Sequence, residues 1–363
     1  MSELYYQIAL GLIESVGPIT AKKLISYCGG VEAVFSERYA AISKIPGVAQ
    51  LVARNVTQFN QAERVESELK FIADHKIAVH FYLDDDFPHR LKYCEDGPIL
   101  IYRRGKDILN HTRMVSIVGT RNATKSGKAF CEELIEQLIP HDVVVVSGLA
   151  YGIDITAHRA CLKYGVPTIG VLAHGLDRIY PALHRKTAID MQHSGALVTE
   201  FMSQTNPDRE NFPSRNRIVG GMTDATIVIE SRDKGGSLIT ADLAFGYNRD
   251  VFAVPGRPSD VESQGCLRLL RENKAYLLTS LDDLVKNLGW DVQYKGSSVQ
   301  KSLFVDLSPE EEALLGCFAS GRASLDGLSI SAGRPVSEVS AMLLGLEFKG
   351  VVRALPGKVF EMA

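Results

Sequence analysis

The chain has 363 residues, 45% of them hydrophobic and 23% charged, with a formal net charge of −3. That length holds two or three domains with cores of their own, and that balance excludes disordered and collagen-like chains. The small negative charge does not exclude nucleic acid, because phosphate contacts need only a local basic groove.

No apolar run reaches the ~18 residues of a membrane helix. The N-terminus is acidic and lacks the basic region of a signal peptide, so a soluble cytoplasmic protein is expected. The six cysteines form no C-x-x-C pair and the nine histidines no H-E-x-x-H motif. Reduced thiols, no metal and no cofactor are expected.

Residues 1–75 read as a helical, SAM/helix-hairpin-helix-like domain. Tyr6, Ile8, Ala9, Leu10, Leu12 and Ile13 follow helical spacing. Two similar turns follow, Gly17-Pro18-Ile19-Thr20 and Pro46-Gly47-Val48-Ala49. Both resemble the hairpin of a helix-hairpin-helix unit, with Thr20 and Ala49 where its second glycine belongs. Tight turns that need glycine explain them better than direct DNA contact.

Over residues 76–290 short apolar runs alternate with helical stretches. Strands are expected near 78–82, 98–102, 114–118, 143–146, 168–172, 196–199, 225–229, 251–254 and 275–277. Helices are expected near 126–139, 155–164, 184–194, 214–222, 238–247 and 264–272. This alternation predicts a doubly wound α/β sheet, an extended Rossmann-like parallel core whose ligands bind at the carboxyl ends of its strands.

The loops at those ends carry the chemistry. The first, Gly119-Thr120-Arg121-Asn122-Ala123-Thr124-Lys125, joins a strand-end glycine to a helix start, a natural anion cradle. It is neither G-x-G-x-x-G nor a P-loop, so no apparatus for ATP hydrolysis is visible. The second, Ser147-Gly148-Leu149-Ala150-Tyr151-Gly152-Ile153-Asp154, allows close backbone approach, and Asp154 reads as the N-cap of a helix bearing His158. His158 is expected to hold a nearby loop rather than to catalyse. The third runs through Asp177 and Tyr180-Pro181 to the basic pair Arg185-Lys186. Then Phe212-Pro213-Ser214-Arg215-Asn216-Arg217 places two arginines at a helix start, where the dipole gives cations no advantage. An anionic partner and a structural salt bridge to Glu200 or Glu230 explain them equally well. Gly235-Gly236-Ser237-Leu238-Ile239-Thr240 opens a further helix. Several such loops in one sheet predict a phosphate-lined pocket.

Residues 291–307 are polar and read as a linker. Beyond it Ser308 and Glu311 form a capping box, and helices near 309–318, 324–331 and 336–348 lead into a hairpin. Three helices and a hairpin over 308–363 predict a winged-helix domain. Its third helix carries Glu338 and Glu347 and no basic residue, so it is expected to contact protein or to close the fold.

The motifs SIVGTR (116–121), SGLAYGID (147–154), GLDRIYP (175–181), FPSRNR (212–217), GGSLITA (235–241) and AVPG (253–256) stand in one order. Together they resemble the DNA processing protein A (DprA/Smf) family over residues ~80–290, and the flanking domains suit that family too. The resemblance implies a homodimer, formed through the Rossmann-like domain, that binds single-stranded DNA, protects incoming DNA in natural transformation and helps load the RecA recombinase. Carried over by motif, Gly119, Thr120 and Arg121 hold a backbone phosphate. Lys125, Ser147, Gly148, Arg185, Lys186, Arg215, Asn216, Arg217, Gly236, Ser237 and Thr240 line the same path. Phe212 and Tyr180 are the candidates for base stacking, and Phe212 equally for the core. Leu267 and Leu270 are candidates for the dimer surface.

Two rivals stand beside this reading. Rossmann-like nucleoside monophosphate phosphoribohydrolases use P-G-G-x-G-T-x-x-E, and Thr240 stands where the glutamate belongs, leaving no evident acid–base group. A winged-helix transcription regulator is disfavoured by the acidic third helix.

Overall fold

The computed structural model describes residues 2–290, 307–318, 322–355 and 359–362. Of the expected linker, only Leu307 falls among them. Two compact units result, one ending at Gly289 and the other beginning at Trp290.

The first unit opens with six helices, α1 (Glu3–Leu12), α2 (Pro18–Cys28), α3 (Val31–Ser36), α4 (Tyr39–Ile42), α5 (Gln50–Thr57) and α6 (Ala62–Asp74). The two glycine turns begin or precede helices here: Gly17 is the N-cap of α2, and Gly47 takes φ +75° before α5. Ile8, Leu10, Leu24 and Val65 of these helices share a hydrophobic core with Phe81, Leu100 and Tyr102. Helices and sheet are therefore packed together.

The sheet follows as β1 (Ala78–Phe81), the short α7 (His89–Lys92), β2 (Leu100–Gly105), β3 (Met114–Val118), α8 (Lys125–Leu138), β4 (Val144–Ser147), α9 (Ile153–Tyr164), β5 (Thr168–Val171), α10 (Arg185–Met191), β6 (Ala196–Thr199), α11 (Asn211–Gly221), β7 (Ala225–Val228), α12 (Gly236–Gly246), β8 (Asp250–Ala253), α13 (Gln264–Arg271), β9 (Tyr276–Leu277) and α14 (Leu281–Asn287). The strand order is β1-β2-β6-β5-β4-β3-β7-β8-β9. Pairing is parallel from β6 to β9, and antiparallel where β1 and β2 extend one edge. Every residue of β3, β4, β5, β6 and β7 is buried, as continuous apolar strands covered on both faces require. From β3 the chain steps outward through β4, β5 and β6, then returns to lay β7 on the other side of β3. The crevice opened by that reversal is where a doubly wound sheet binds its ligand.

One local expectation is corrected. Asp154 does not cap α9: the N-cap is Gly152 at φ +79°, where a Cβ would lie 2.1 Å from the Thr120 carbonyl oxygen. Asp154 lies inside the first turn, and its carboxylate accepts from the Gly148 and Ala150 N–H groups.

The second unit comprises α15 (Pro309–Leu315), β10 (Arg322–Ser324), α16 (Leu325–Ala332), α17 (Val336–Phe348), β11 (Val352–Leu355) and β12 (Val359–Met362), with sheet order β10-β12-β11. The expected capping box is present, Ser308 Oγ accepting from the Glu311 N–H and Glu311 accepting from the Ser308 N–H. Leu314, Leu328, Val339, Leu343 and Leu346 form its core.

Candidate nucleic-acid interface

A cleft of about 480 Å³ opens at the carboxyl ends of β3, β4 and β7, at the reversal of strand order. After β3 the chain turns through Gly119 and Thr120. The Thr120 N–H donates to the Glu230 carbonyl (2.7 Å), and the Ile153 N–H donates to the Thr120 carbonyl (3.2 Å). The loop is thereby fixed to the end of β7 and the start of α9. Gly119 is required by close approach, since a Cβ there would sit 2.5 Å from Ile153 Cγ1.

Gly148 after β4 serves Arg215. A Cβ on Gly148 would lie 1.8 Å from Arg215 Nη1, so the missing side chain is the space the guanidinium occupies. Nη1 donates to the Val171 carbonyl at 2.8 Å, whereas the buried Nε has no partner among the described residues. Burial pushes the Arg215 pKa down and the Asp154 pKa up, and each charge opposes the shift of the other. The back of the cleft therefore holds a cation with donor capacity left over.

At the mouth, Arg121 lies over the Phe212 ring, 5.6 Å from its centroid, and Phe212 meets Tyr180 edge-on at 6.2 Å. Phe212 is half-buried and Tyr180 exposed, so the pair offers ring surface to the cleft rather than to the core. The Tyr180 N–H donates to His174 Nε2 at 3.1 Å. The floor is the first turn of α12, where Gly235 caps the helix with no side-chain hydrogen bond and Ser237 Oγ donates to Ser231 Oγ at 2.9 Å. The N–H groups of a helix's first turn have no intrahelical partner and carry the positive end of the dipole.

Of the expected residues, Gly119, Thr120, Arg121, Gly148, Tyr180, Phe212, Arg215, Asn216, Gly236, Ser237 and Thr240 line this one cleft. The others do not. Lys125 is exposed at the start of α8, and Arg185 and Lys186 are exposed at the start of α10. Ser147 is buried with its hydroxyl donating to the Ile117 carbonyl. Arg217 is turned away, ion-paired with Glu200 and donating to the Asp96 carbonyl, so for this arginine the structural salt bridge is the correct explanation. Glu230 pairs with no arginine among the described residues; its carboxylate accepts from the Thr124 N–H and hydroxyl. The His158 Nδ1–H donates to the Thr168 hydroxyl of β5 (2.8 Å), which itself donates to the Val145 carbonyl. Burial pushes its pKa down to about 3, so the ring is neutral. Leu267 and Leu270 are half-buried on α13. Among the described residues no group of three His, Cys, Asp or Glu side chains is arranged to hold a metal ion.

Three cations of the cleft escaped the sequence analysis: Arg209, Arg232 and Lys234. The signal was available, since Arg232 and Lys234 immediately precede the Gly235-Gly236 turn and Arg209 lies one helical turn before Phe212. Arg121, Arg209 and Lys234 are exposed and have no ion-pair partner among the described residues.

The DNA recombination-mediator protein A family model matches residues 78–289, and the DprA winged helix domain model matches residues 305–358. Protein Smf of Synechocystis is 30% identical over 99% of both chains. Protein Smf of Escherichia coli is 32% identical over 75% of this chain and 74% of its own. The X-ray structure of DprA from Streptococcus pneumoniae superimposes with a TM-score of 0.68 at 31% identity, covering 79% of this chain and 98% of that one. The structure of DNA processing protein A from Helicobacter pylori, described for its single-stranded DNA binding mode, gives 0.54 at 28% identity over 60% of this chain and 97% of that one.

Proposed function

The chain belongs to the DNA recombination-mediator protein A family, and on that premise we propose that its cleft binds the backbone of single-stranded DNA without altering it chemically. The observation that carries this reading is that Arg121, Arg209, Arg215, Arg232 and Lys234 line one cleft together with Gly235, Gly236 and Ser237 at the start of α12. Five cations beside free backbone donors suit a run of phosphates better than one small neutral ligand. The Arg121–Phe212–Tyr180 cluster supplies ring surface for bases, and base stacking tolerates any sequence. Thr240, on the cleft wall where the phosphoribohydrolase signature has its glutamate, supports binding over glycosidic cleavage.

In the cell this protein protects incoming single strands and helps load the RecA recombinase on them, in natural transformation or general recombination. It works in the cytoplasm as a homodimer through the Rossmann-like unit. Fluorescence anisotropy with a random-sequence single strand, and with its duplex, tests the binding step. The single strand is expected to bind more tightly and to lose affinity in Arg121→Ala. Equal binding of duplex, or an Arg121→Ala variant with wild-type affinity, overturns the assignment.

A further inference from the structure

Arg232 differs from the other exposed cations of the cleft because it already holds an anion. Glu262, in the single helical turn Val261–Ser263 before α13, accepts from Arg232 Nε at 2.7 Å and from Nη2 at 2.5 Å. The Thr120 side chain, which lines the same cleft as Arg232, lies near enough to the carboxylate to help hold its pKa down. Glu262 therefore pairs with one guanidinium of the cleft lining and lies beside one of its hydroxyls, the donor types that hold a phosphate.

The carboxylate is not comfortably seated. Its side chain is only 15% exposed while Arg232 is 56% exposed, and Glu262 Oε2 is buried with no partner among the described residues. A buried, unsatisfied carboxylate oxygen is costly to keep. The surrounding donors nevertheless hold its pKa below the ordinary value, so Glu262 is charged at neutral pH. The Arg232–Glu262 pair neutralises a cation of the cleft lining, while Glu262 itself lines the adjoining hollow with Val261 and Ser263.

We propose that Arg232 and the Thr120 hydroxyl form a further phosphate position at the edge of the cleft, and that Glu262 occupies it in the free protein as an internal stand-in for phosphate. The proposal rests on the single-strand reading above. Occupation by DNA exchanges a carboxylate for a phosphate, so the position adds little affinity until Glu262 swings away. Glu262 thus limits how many phosphates the free protein engages.

The experiment is a salt titration of a labelled oligothymidylate by anisotropy, with wild type, Glu262→Gln, Arg232→Gln and the double variant, each first checked for an unchanged melting transition. Glu262→Gln keeps the shape and removes the charge. It is expected to bind about fivefold to tenfold tighter at low salt and to steepen the slope of log Kobs against log salt by about 0.7, the increment for one phosphate of a single strand. Adding Arg232→Gln is expected to abolish both gains. An unchanged affinity and slope in Glu262→Gln overturns the proposal, as does a gain that survives loss of Arg232. Should Glu262→Gln melt abnormally, Glu262→Ala gives the same comparison. Failure of the wild type to bind at all would instead remove the single-strand reading itself.

Discussion

At the scale of single residues, Arg215 and Arg217 show what a motif does and does not say. Both belong to the Ser214-Arg215-Asn216-Arg217 stretch, yet residues two apart on a helix point about 200° from each other. Arg215 faces the cleft and Arg217 faces Glu200. Phe212, Pro213, Arg215, Asn216 and Val219 of α11 line the cleft, and a helix over this stretch was legible in the sequence. Which side faced the sheet was not, because both arginines are polar and both are buried. The two roles predict opposite effects. Arg217→Ala strands the buried Glu200 carboxylate and is expected to cost about 3–5 kcal/mol of stability, leaving the strand affinity of the folded protein unchanged. Arg121→Ala is expected to do the reverse, and urea unfolding alongside anisotropy measures both. His158 supplies a pH prediction. Its folded pKa of about 3 lies below the ordinary 6.5, so the neutral ring contributes stability that is complete above pH 6.5 and is lost as pH falls towards 3. At about pH 5 the loss is expected to reach about 2 kcal/mol. His158→Leu should flatten the urea stability profile between neutral pH and pH ~5; an unchanged profile would remove the residue from the account.

At the scale of elements, the strands were legible and the helix starts less so. Short buried apolar runs name β3 to β8 almost residue by residue. α11 begins at Asn211 rather than 214 because Pro213 is tolerated in a first turn, and this brings Phe212 into the helix beside Arg121. α12 begins at Gly236 rather than 238 because its N-cap, Gly235, has no side chain to read. β10, three residues long, is too short to show an alternation. Where a cap has a side chain, the start is legible and its contribution can be tested. Thr124 caps α8 by accepting from the Gly127 N–H at 3.0 Å, and its hydroxyl donates to Glu230 Oε1 at 2.5 Å. Thr124→Ala removes both bonds and is expected to lower the unfolding free energy by about 1–2 kcal/mol in urea. No loss would mean that the Glu230 carboxylate, not the cap, fixes this helix start.

At the scale of the whole molecule, composition conceals the feature that matters. A net charge of −3 describes the average surface, while the fold gathers cations from the loops after β3, β6 and β7 and from α11 into one cleft. The glycine-rich loops announced a pocket because each follows a strand of one sheet; Arg209 entered it through the loop after β6, which no motif flagged. The second unit does not repeat the pattern. α17 presents Leu344 and Phe348, 54% and 85% exposed, beside Glu338 and Glu347, and carries no cation to read DNA. Strand binding is therefore proposed for the first unit, through its electrostatics. Its most direct test is the salt dependence of single-strand affinity in the wild type. With Arg232 paired to Glu262, the other four cleft cations hold about three to four phosphates, which predicts that log Kobs falls linearly with log salt at a slope of about −2 to −3, whatever the base sequence. A slope near zero, or an affinity that follows sequence and ignores salt, would contradict a phosphate-holding cleft.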